Sequence, residues 1–440
     1  MPASAVNGRH KLGNGGNAPV HERSSGRVAT AQNPPRHQRV RSVGAQAVML
    51  AFASGLAQLL VAGVYILAAR ETAPADFGVV VTSVAIGTAG AGLLDLGTNA
   101  FWMRELSRNA IAPSDLDARV RTKLAVGALA AASWGITVAW FQPTLSIAGA
   151  ILFAVAASQT MLVPLRAKKR GGTVALLLVL EKLVAVAVFA LLTLSGASTQ
   201  LSLWISLALG SISMAVVAYS IQPRHSRLRL TGRGFANPWR GTRHYGLSSL
   251  ALSAQQFDLP ILGGVAGATA AGIYGGVNRW TQPMGLLASA FSSAAAPFIA
   301  GATDWKSARQ HVMKAAWVPA LGIAACCAVI LVAPKVVEML LGQEYAGSAP
   351  VLRWLAAGTV LTTLNQPLAS FLQSRAHEEM VAYVLVGSVA VQLCLVVALG
   401  STMGAEGAAI AYCVLQLAVF ASLAICMRAA YRRENGRARE

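Results

Sequence analysis

Twelve apolar runs, each 18 to 29 residues long, fill the chain between residues 44 and 427: 44–69, 78–101, 124–141, 145–165, 173–194, 202–221, 246–266, 272–300, 315–333, 350–374, 380–400 and 406–427. A helix of ~20 residues spans the ~30 Å hydrocarbon core of a bilayer. Lipid offers no partner to a backbone N–H or C=O, so only helices or closed barrels cross it, and runs this long are helical. The pattern predicts an all-α integral membrane protein with about twelve transmembrane helices. The runs 124–141 and 145–165 are split by Gln142-Pro143 and are expected to form two spans rather than a re-entrant pair.

Composition supports lipid as the solvent. Charged residues make up 12% of the chain, about half of the roughly 25% usual in soluble domains. The 41 glycines suit closely packed membrane helices. The net charge of +19 could signal nucleic-acid binding, but the charges sit between the apolar runs and form no basic stripe with stacking aromatics. No nucleic-acid partner is expected. Cys326, Cys327, Cys394, Cys413 and Cys426 are an odd number without ligand spacing, so neither a disulfide framework nor a metal site is indicated, and they read as small buried hydrophobes.

The basic residues alternate between the two sides. With the amino terminus inside, 31 of the 36 Lys and Arg residues fall in inner segments, and Arg70 and Lys335 are the pair that lies clearly in outer loops. By the positive-inside rule both termini are cytoplasmic. Residues 1–42 form a basic tail without an apolar run, expected to be disordered and without a cleavable leader. Residues 43–222 and 246–428 then form two six-helix lobes, joined by a basic cytoplasmic linker at 223–245, with a second tail at 429–440. A short repeat supports two parallel halves. The turn Glu71 to Gly78 and the turn Ala268 to Gly275 share Thr, Ala and an aromatic-Gly pair at an offset of 197 residues, or six spans.

In membranes the polar residues carry the information. Gln58 shares a stripe of the first run with Ser54 and Tyr65, and Asp95 and Asn99 share one of the second with Thr88. Gln256 lies in the seventh run, Asn278, Arg279 and Gln282 in the eighth. Thr359, Thr363, Gln366, Ser370 and Gln373 form a continuous helical stripe in the tenth, whereas the third, sixth, eleventh and twelfth are mostly apolar. Single Ser and Thr residues suffice for helix packing; whole stripes with Gln and Asn point to a hydrated cavity between the halves. Asp258 and Arg279 fall at similar depth, from the 1.5 Å rise per residue. They read either as a structural salt bridge or, for Arg279, as a fixed cation for an anionic substrate group. Asp95, Glu181 and Asp258 are the candidate proton- or ion-coupling carboxylates. Lys182, adjacent to Glu181, is expected to snorkel rather than pair with it. Prolines at 164, 260, 283, 319 and 367 interrupt the runs and bend their helices. No GxxxxGK[ST], HExxH or GxSxG occurs, so no hydrolytic chemistry and no cofactor is indicated.

Several short motifs in order carry a family resemblance: Ala69-Arg70 through Asp76-Phe77-Gly78, Leu93 to Gly97 with Arg104-Glu105, and Arg166 to Arg170 in the first half. In the second half they are Phe257-Asp258, Gly272 to Gly275 with Asn278-Arg279, Ala333-Pro334 with Gly342 to Tyr345, and Met403 to Ala408. Over residues 44–427 the chain resembles the polysaccharide transporter (Wzx-type flippase) family of the multidrug/oligosaccharidyl-lipid/polysaccharide exporter superfamily. It departs in its longer amino-terminal tail and in the single acidic residue of the seventh run. The resemblance implies a MATE-like, V-shaped pair of lobes around a central cavity in a bacterial inner membrane. It also implies a non-enzymatic flippase that moves a polyprenyl-pyrophosphate-linked saccharide from the inner to the outer leaflet, with a polysaccharide polymerase or glycosyltransferases as partners. An ion-coupled multidrug exporter on the same fold and a non-transport scaffold for polysaccharide assembly are the alternatives.

The charge asymmetry yields a direct test. A topology reporter fused after residue 235 is expected to report cytoplasm, and a periplasmic signal would overturn the orientation.

Overall fold

The computed structural model describes residues 43–108, 110–222, 227–232, 234–300, 310, 313, 316–374 and 377–437. The tail 1–42 and the basic stretch from 301 to 309 lie outside these residues. Among the described residues every regular element is helical: α1 (Val43–Arg70), α2 (Pro74–Asp95), α3 (Thr98–Ser107), α4 (Pro113–Ala139), the single turn α5 (Pro143–Ser146), α6 (Ala148–Ala167), α7 (Gly171–Leu194) and α8 (Thr199–Ser220) in the first half. The second half contains α9 (Arg243–Gln255), α10 (Asp258–Ala300), α11 (Trp317–Leu341), a 3-10 turn (Gln343–Tyr345), α12 (Ser348–Ser374) and α13 (Glu378–Arg437). Pro74, Pro113 and Pro143 each open a helix, where their missing N–H would lack an intrahelical partner anyway.

Two of the long helices are hairpins. In an unbroken helix Asp258 and Tyr274 would stand ~24 Å apart, yet the Tyr274 hydroxyl donates to Asp258 at 3.0 Å. The chain reverses at Gly267 (φ 87°, ψ 169°), a conformation that a β-carbon disfavours. α13 reverses likewise at Gly404 (φ 60°, ψ −135°), which brings Gly407 against the Leu399 carbonyl. By length and composition nine stretches among the described residues can cross a membrane, and two of these, Ser249–Thr281 and Glu379–Arg432, contain the reversals. Each counted as two, together with the 27-residue α12, they account for the twelve predicted segments. The chain is a multi-pass, all-α membrane protein. Its outward surface suits lipid: Leu194 is 87% exposed and Leu331 80%.

Several boundaries differ from those predicted. The second segment, expected to run 78–101, ends at Asp95 because Leu96 (φ 40°) and Gly97 (φ 74°) both turn left-handed before α3 begins. α4 starts at Pro113 rather than 124: Asp115, Asp117, Arg119 and Arg121 lower the hydropathy without breaking the helix. α4 and α6 are full-length helices rather than a re-entrant pair. The seventh segment breaks between α9 and α10. Pro260 has no N–H to offer the Gln256 carbonyl and its ring crowds that oxygen, so the first helix stops there and a second begins at Asp258. Of the cysteines, Cys326 is buried, but Cys327 and Cys394 are exposed, not the buried hydrophobes expected; thiols tolerate a lipid-facing surface.

One end of the bundle carries the turns at 71–73, 267, 342–345 and 404; the other carries α3, the connections 168–170, 221–222 and 234–242, and the facing ends of α12 and α13. These are called the turn end and the linker end below. Arg119 and Arg121 on α4 donate to the carbonyls of Arg229, Gly234 and Arg240, and Trp239 donates to the Leu94 carbonyl, so residues 227–242 are strapped to the first half. A single apolar cluster, with Tyr65, Phe77, Leu262, Tyr274, Tyr345 and Leu352, joins the two halves. Two separate clusters, one around Trp102 and Leu162 and one around Leu372 and Leu423, serve the linker end of each half.

The halves meet most closely where the repeated turns lie. A β-carbon on Gly78 of α2 would collide with the Ala268 carbonyl, and one on Gly272 of α10 with the Pro74 carbonyl. The Tyr345 hydroxyl donates to the Thr72 carbonyl at 3.3 Å, and Phe77 stands edge-on between Tyr65 and Tyr345 at 6.1 and 6.2 Å. Burial, outweighing that hydrogen bond, pushes the Tyr345 pKa up, so the phenol stays a neutral donor at physiological pH. Gly272→Leu is expected to destabilise the detergent-solubilised protein by about 3 kcal/mol through overpacking. Gly264→Leu, where a β-carbon meets nothing within 4 Å, should leave the thermal midpoint unchanged or raised; equal melting of the two variants would show that the contact is not tight.

Candidate functional site

The break between α9 and α10, caused by Pro260, projects a cluster of polar side chains from the middle of the bundle. Gln255, Gln256 and Asp258 lie at this break, and with Gln58 of α1 they open onto a cavity of about 780 Å³. The hairpin of α10 adds Tyr274, Asn278, Thr281 and Ser292, and α12 adds Thr359, Thr362, Asn365, Gln366, Ser370 and Gln373. From Thr359 to Gln373 the lining extends ~21 Å along α12, toward the linker end.

Both arms of α13 complete the wall. Leu385, Ser388, Val389 and Gln392 recur at i, i+3, i+4 and i+7 on the first arm; Tyr412, Leu415, Gln416, Val419 and Leu423 form the stripe on the second. The eleventh and twelfth segments are mostly apolar in sequence. Their few polar residues lie on the inward stripe, a pattern that a simple count of polar residues hides and that the i, i+4 spacing of Ser388 with Gln392 and of Tyr412 with Gln416 would have revealed. Thr362 and Asn365 flank the predicted stripe of the tenth segment and line the cavity with it, while Thr363 turns away and donates to the Thr359 carbonyl at 2.8 Å.

The cavity thus brings together Gln58, Gln256, Asp258, Asn278, Gln366 and Gln373. The side chain of Gln282 lies outside the described residues. Asp95 and Asn99 are placed elsewhere. Lys123 of α4 is fully buried and donates to Asp95 at 2.6 Å, Thr98 at 2.7 Å and Asn99 at 3.0 Å, using all three ammonium protons. Its Nζ also lies 5.1 Å from the Trp102 ring. Lys123, which the expected start of the third run at 124 leaves among the inner cations, is therefore a helix residue that fastens the break between α2 and α3. Its partner Asp95 lies 28 positions away, so the pair leaves no local signal in the sequence.

Glu181 is also tied up. It accepts from Lys182 at 2.7 Å and from Ser211 of α8 at 3.0 Å, and is not among the cavity-lining residues. The expectation that Lys182 avoids its neighbour fails because both side chains are long enough to curl toward one another where the ammonium has no better partner in lipid.

Asp258 and Arg279 approach one another without pairing. Asp258 accepts from Tyr274 at 3.0 Å and from the Leu259 N–H at 2.7 Å. Arg279 stacks over the Tyr65 ring, 5.0 Å from its centroid. Both border a second gap of about 20 Å³ between α2 and α10, which also touches Gln256 and Asn278. That volume suits a single water and is too small for a diphosphate.

Fold and cavity together define a polytopic all-helical membrane protein, and the comparisons place its fold with those of MATE and MurJ proteins. The family model described as MatE matches residues 248–398, the stretch that supplies most of the cavity wall. Among solved structures, the inward-facing conformation of a multidrug resistance MATE family transporter of the MOP superfamily superposes with a TM-score of 0.64 at 16% identity, covering 89% of this chain and 99% of that one. The lipid II flippase MurJ in an inward closed conformation gives 0.68 at 11% identity over 87% of each chain. The outward-facing conformation of a MATE family transporter gives 0.55 at 15% identity over 89% and 96%. A search of curated proteins returned no match.

The buried Lys123 network is open to a double-mutant test. Lys123→Met leaves the Asp95 carboxylate without its cation and is expected to lower stability by about 3 kcal/mol. Adding Asp95→Asn, which keeps the acceptor for Thr98 and Asn99 but removes the charge, should recover at least about 1 kcal/mol of this. Additive losses in thermal melts would show that the pair is not coupled.

Proposed function

We propose that the protein is a flippase for a polyprenyl-pyrophosphate-linked saccharide, carried from the inner to the outer leaflet for extracellular polysaccharide biosynthesis by alternating access. The observation behind this reading is the cavity itself: a long space inside a membrane bundle, lined by carboxamides and hydroxyls. A sugar hydroxyl without partners costs several kcal/mol in hydrocarbon, and Gln58, Gln256, Asn278, Gln366 and Gln373 offer replacement hydrogen bonds along the path. In this reading the linker end faces the cytoplasm, since it carries Lys168, Lys169, Arg170 and the arginines of the strap. Those cations suit the pyrophosphate better than Arg279, whose surroundings hold only a water-sized gap. The tight glycine contact at the turn end keeps the opposite side shut, and its separation would open the second state.

A second reading, an ion-coupled exporter of small organic molecules, draws support from Asp258, a carboxylate on the cavity wall between Tyr274 and Arg279. The two are separated in proteoliposomes. A fluorescent polyprenyl pyrophosphate disaccharide should become accessible to a membrane-impermeant reagent in the opposite leaflet, with Gln366→Leu/Gln373→Leu slowing translocation about tenfold or more. Movement of a lipophilic dye cation that needs Asp258, with the disaccharide lipid left in place, would replace the first reading by the second.

A further inference from the structure

We propose, on the reading of the cavity as the path of a lipid-linked saccharide, that the wall formed by Ser292, Asn365, Gln392 and Gln416 is a subsite for an uncharged sugar bearing hydroxyl or acetamido groups. Gln392 is fully buried on the cavity-facing stripe of α13, and neither its Nε2 nor its Oε1 has a partner in the protein. The Oδ1 of Asn365 and the Oγ of Ser292 are likewise buried and unpartnered on the same cavity. Buried polar groups are almost always satisfied in native proteins, so a group of them around one cavity marks where a ligand completes the bonding.

The geometry is preorganised. The Asn365 amide donates to both the backbone carbonyl and the Oε1 of Gln416 at 3.0 Å, which fixes its plane and directs the free Oδ1 elsewhere. Thr362 holds the Tyr412 hydroxyl at 2.9 Å, so the Tyr412 ring is anchored at the same wall. A carboxamide carries donors and an acceptor in one neutral plane, the complement of adjacent sugar hydroxyls or of an acetamido group. An aromatic ring with an anchored hydroxyl supplies an apolar surface for the C–H face of the sugar.

Charge sets the class. Among the described residues lining the cavity, Asp258 carries the charge and no Lys or Arg occurs. A uronate or sulfated sugar would face a carboxylate without a compensating cation, at the low effective dielectric of a membrane interior. Neutral hexose or N-acetylhexosamine units meet no such repulsion.

Binding to the purified full-length protein in nanodiscs tests this with four probes: polyprenyl pyrophosphate carrying diacetylchitobiose, the same lipid carrying a uronate-terminated disaccharide, the bare polyprenyl pyrophosphate, and free diacetylchitobiose. The neutral lipid-linked disaccharide should bind at least about tenfold more tightly than the uronate form and than the bare lipid. Gln392→Leu should abolish that gain while raising the thermal midpoint, because it removes two unpartnered polar atoms from a buried position; a purely structural glutamine would lower both. Equal or tighter binding of the uronate form, or unchanged neutral-sugar binding in both Gln392→Leu and Asn365→Leu, overturns the subsite. If free diacetylchitobiose binds as tightly as its lipid-linked form, the subsite stands and the lipid-linked reading falls. If no sugar improves on the bare lipid, both fall.

Discussion

The approach of α2 and α10 at Gly78 and Gly272 sets the geometry of everything else. Apolar attraction does not drive helices together in lipid, because acyl chains are as apolar as leucine. Close backbone contact therefore has to come from residues without side chains, and here two glycines bring each helix against a carbonyl of the other. Tyr345 and the edge-on stack of Tyr65 and Phe77 close over this contact. With the halves locked at the turn end and their apolar clusters separate at the linker end, the space between α1 and the helices of the second half is left to open toward the linker end.

Most of that space lies in the second half because its first segment is broken and the corresponding segment of the first half is not. α1 runs uninterrupted from 43 to 70, whereas Pro260 stops α9 at Gln255 and starts α10 at Asp258. Backbone irregularity at membrane depth is tolerated where it faces protein or a wet cavity, and the polar residues at this break face such a cavity. The first half is fastened by Lys123 and by the hydrogen bonds of residues 229, 234, 239 and 240, while the second supplies most of the cavity lining.

How much of this was legible in the sequence depends on whether the signal was local. The twelve segments, the reversals at Gly267 and Gly404, and the stripe of α12 follow from hydropathy and helical spacing, which neighbours within a few residues determine. The segment ends were less legible: the charges of the first turns of α4 hid a helix, and nothing around Leu96 announces a residue with φ of 40°. The site was half legible. Gln58, Gln256, Asp258, Asn278, Gln366 and Gln373 stand out as polar residues in apolar runs. Gln392 and Gln416 stand out less, because each has one polar neighbour at i−4, Ser388 and Tyr412, in an otherwise apolar segment. Asp95 looked like a cavity carboxylate because its partner Lys123 lies 28 positions away.

The partnerships of the buried charges sort structure from function. Asp95 with Lys123, and Glu181 with Lys182 and Ser211, are each closed by a cation and at least one hydroxyl within hydrogen-bond distance. A pair satisfied in this way is cheap to keep in lipid and has little left to offer a substrate. Asp258 is held by a phenol and a backbone amide instead of a cation, and Arg279 by the face of a ring, although the two share a water-sized gap. Both charges belong to α10, one on each arm of its hairpin, so the reversal at Gly267 sets how near they stand.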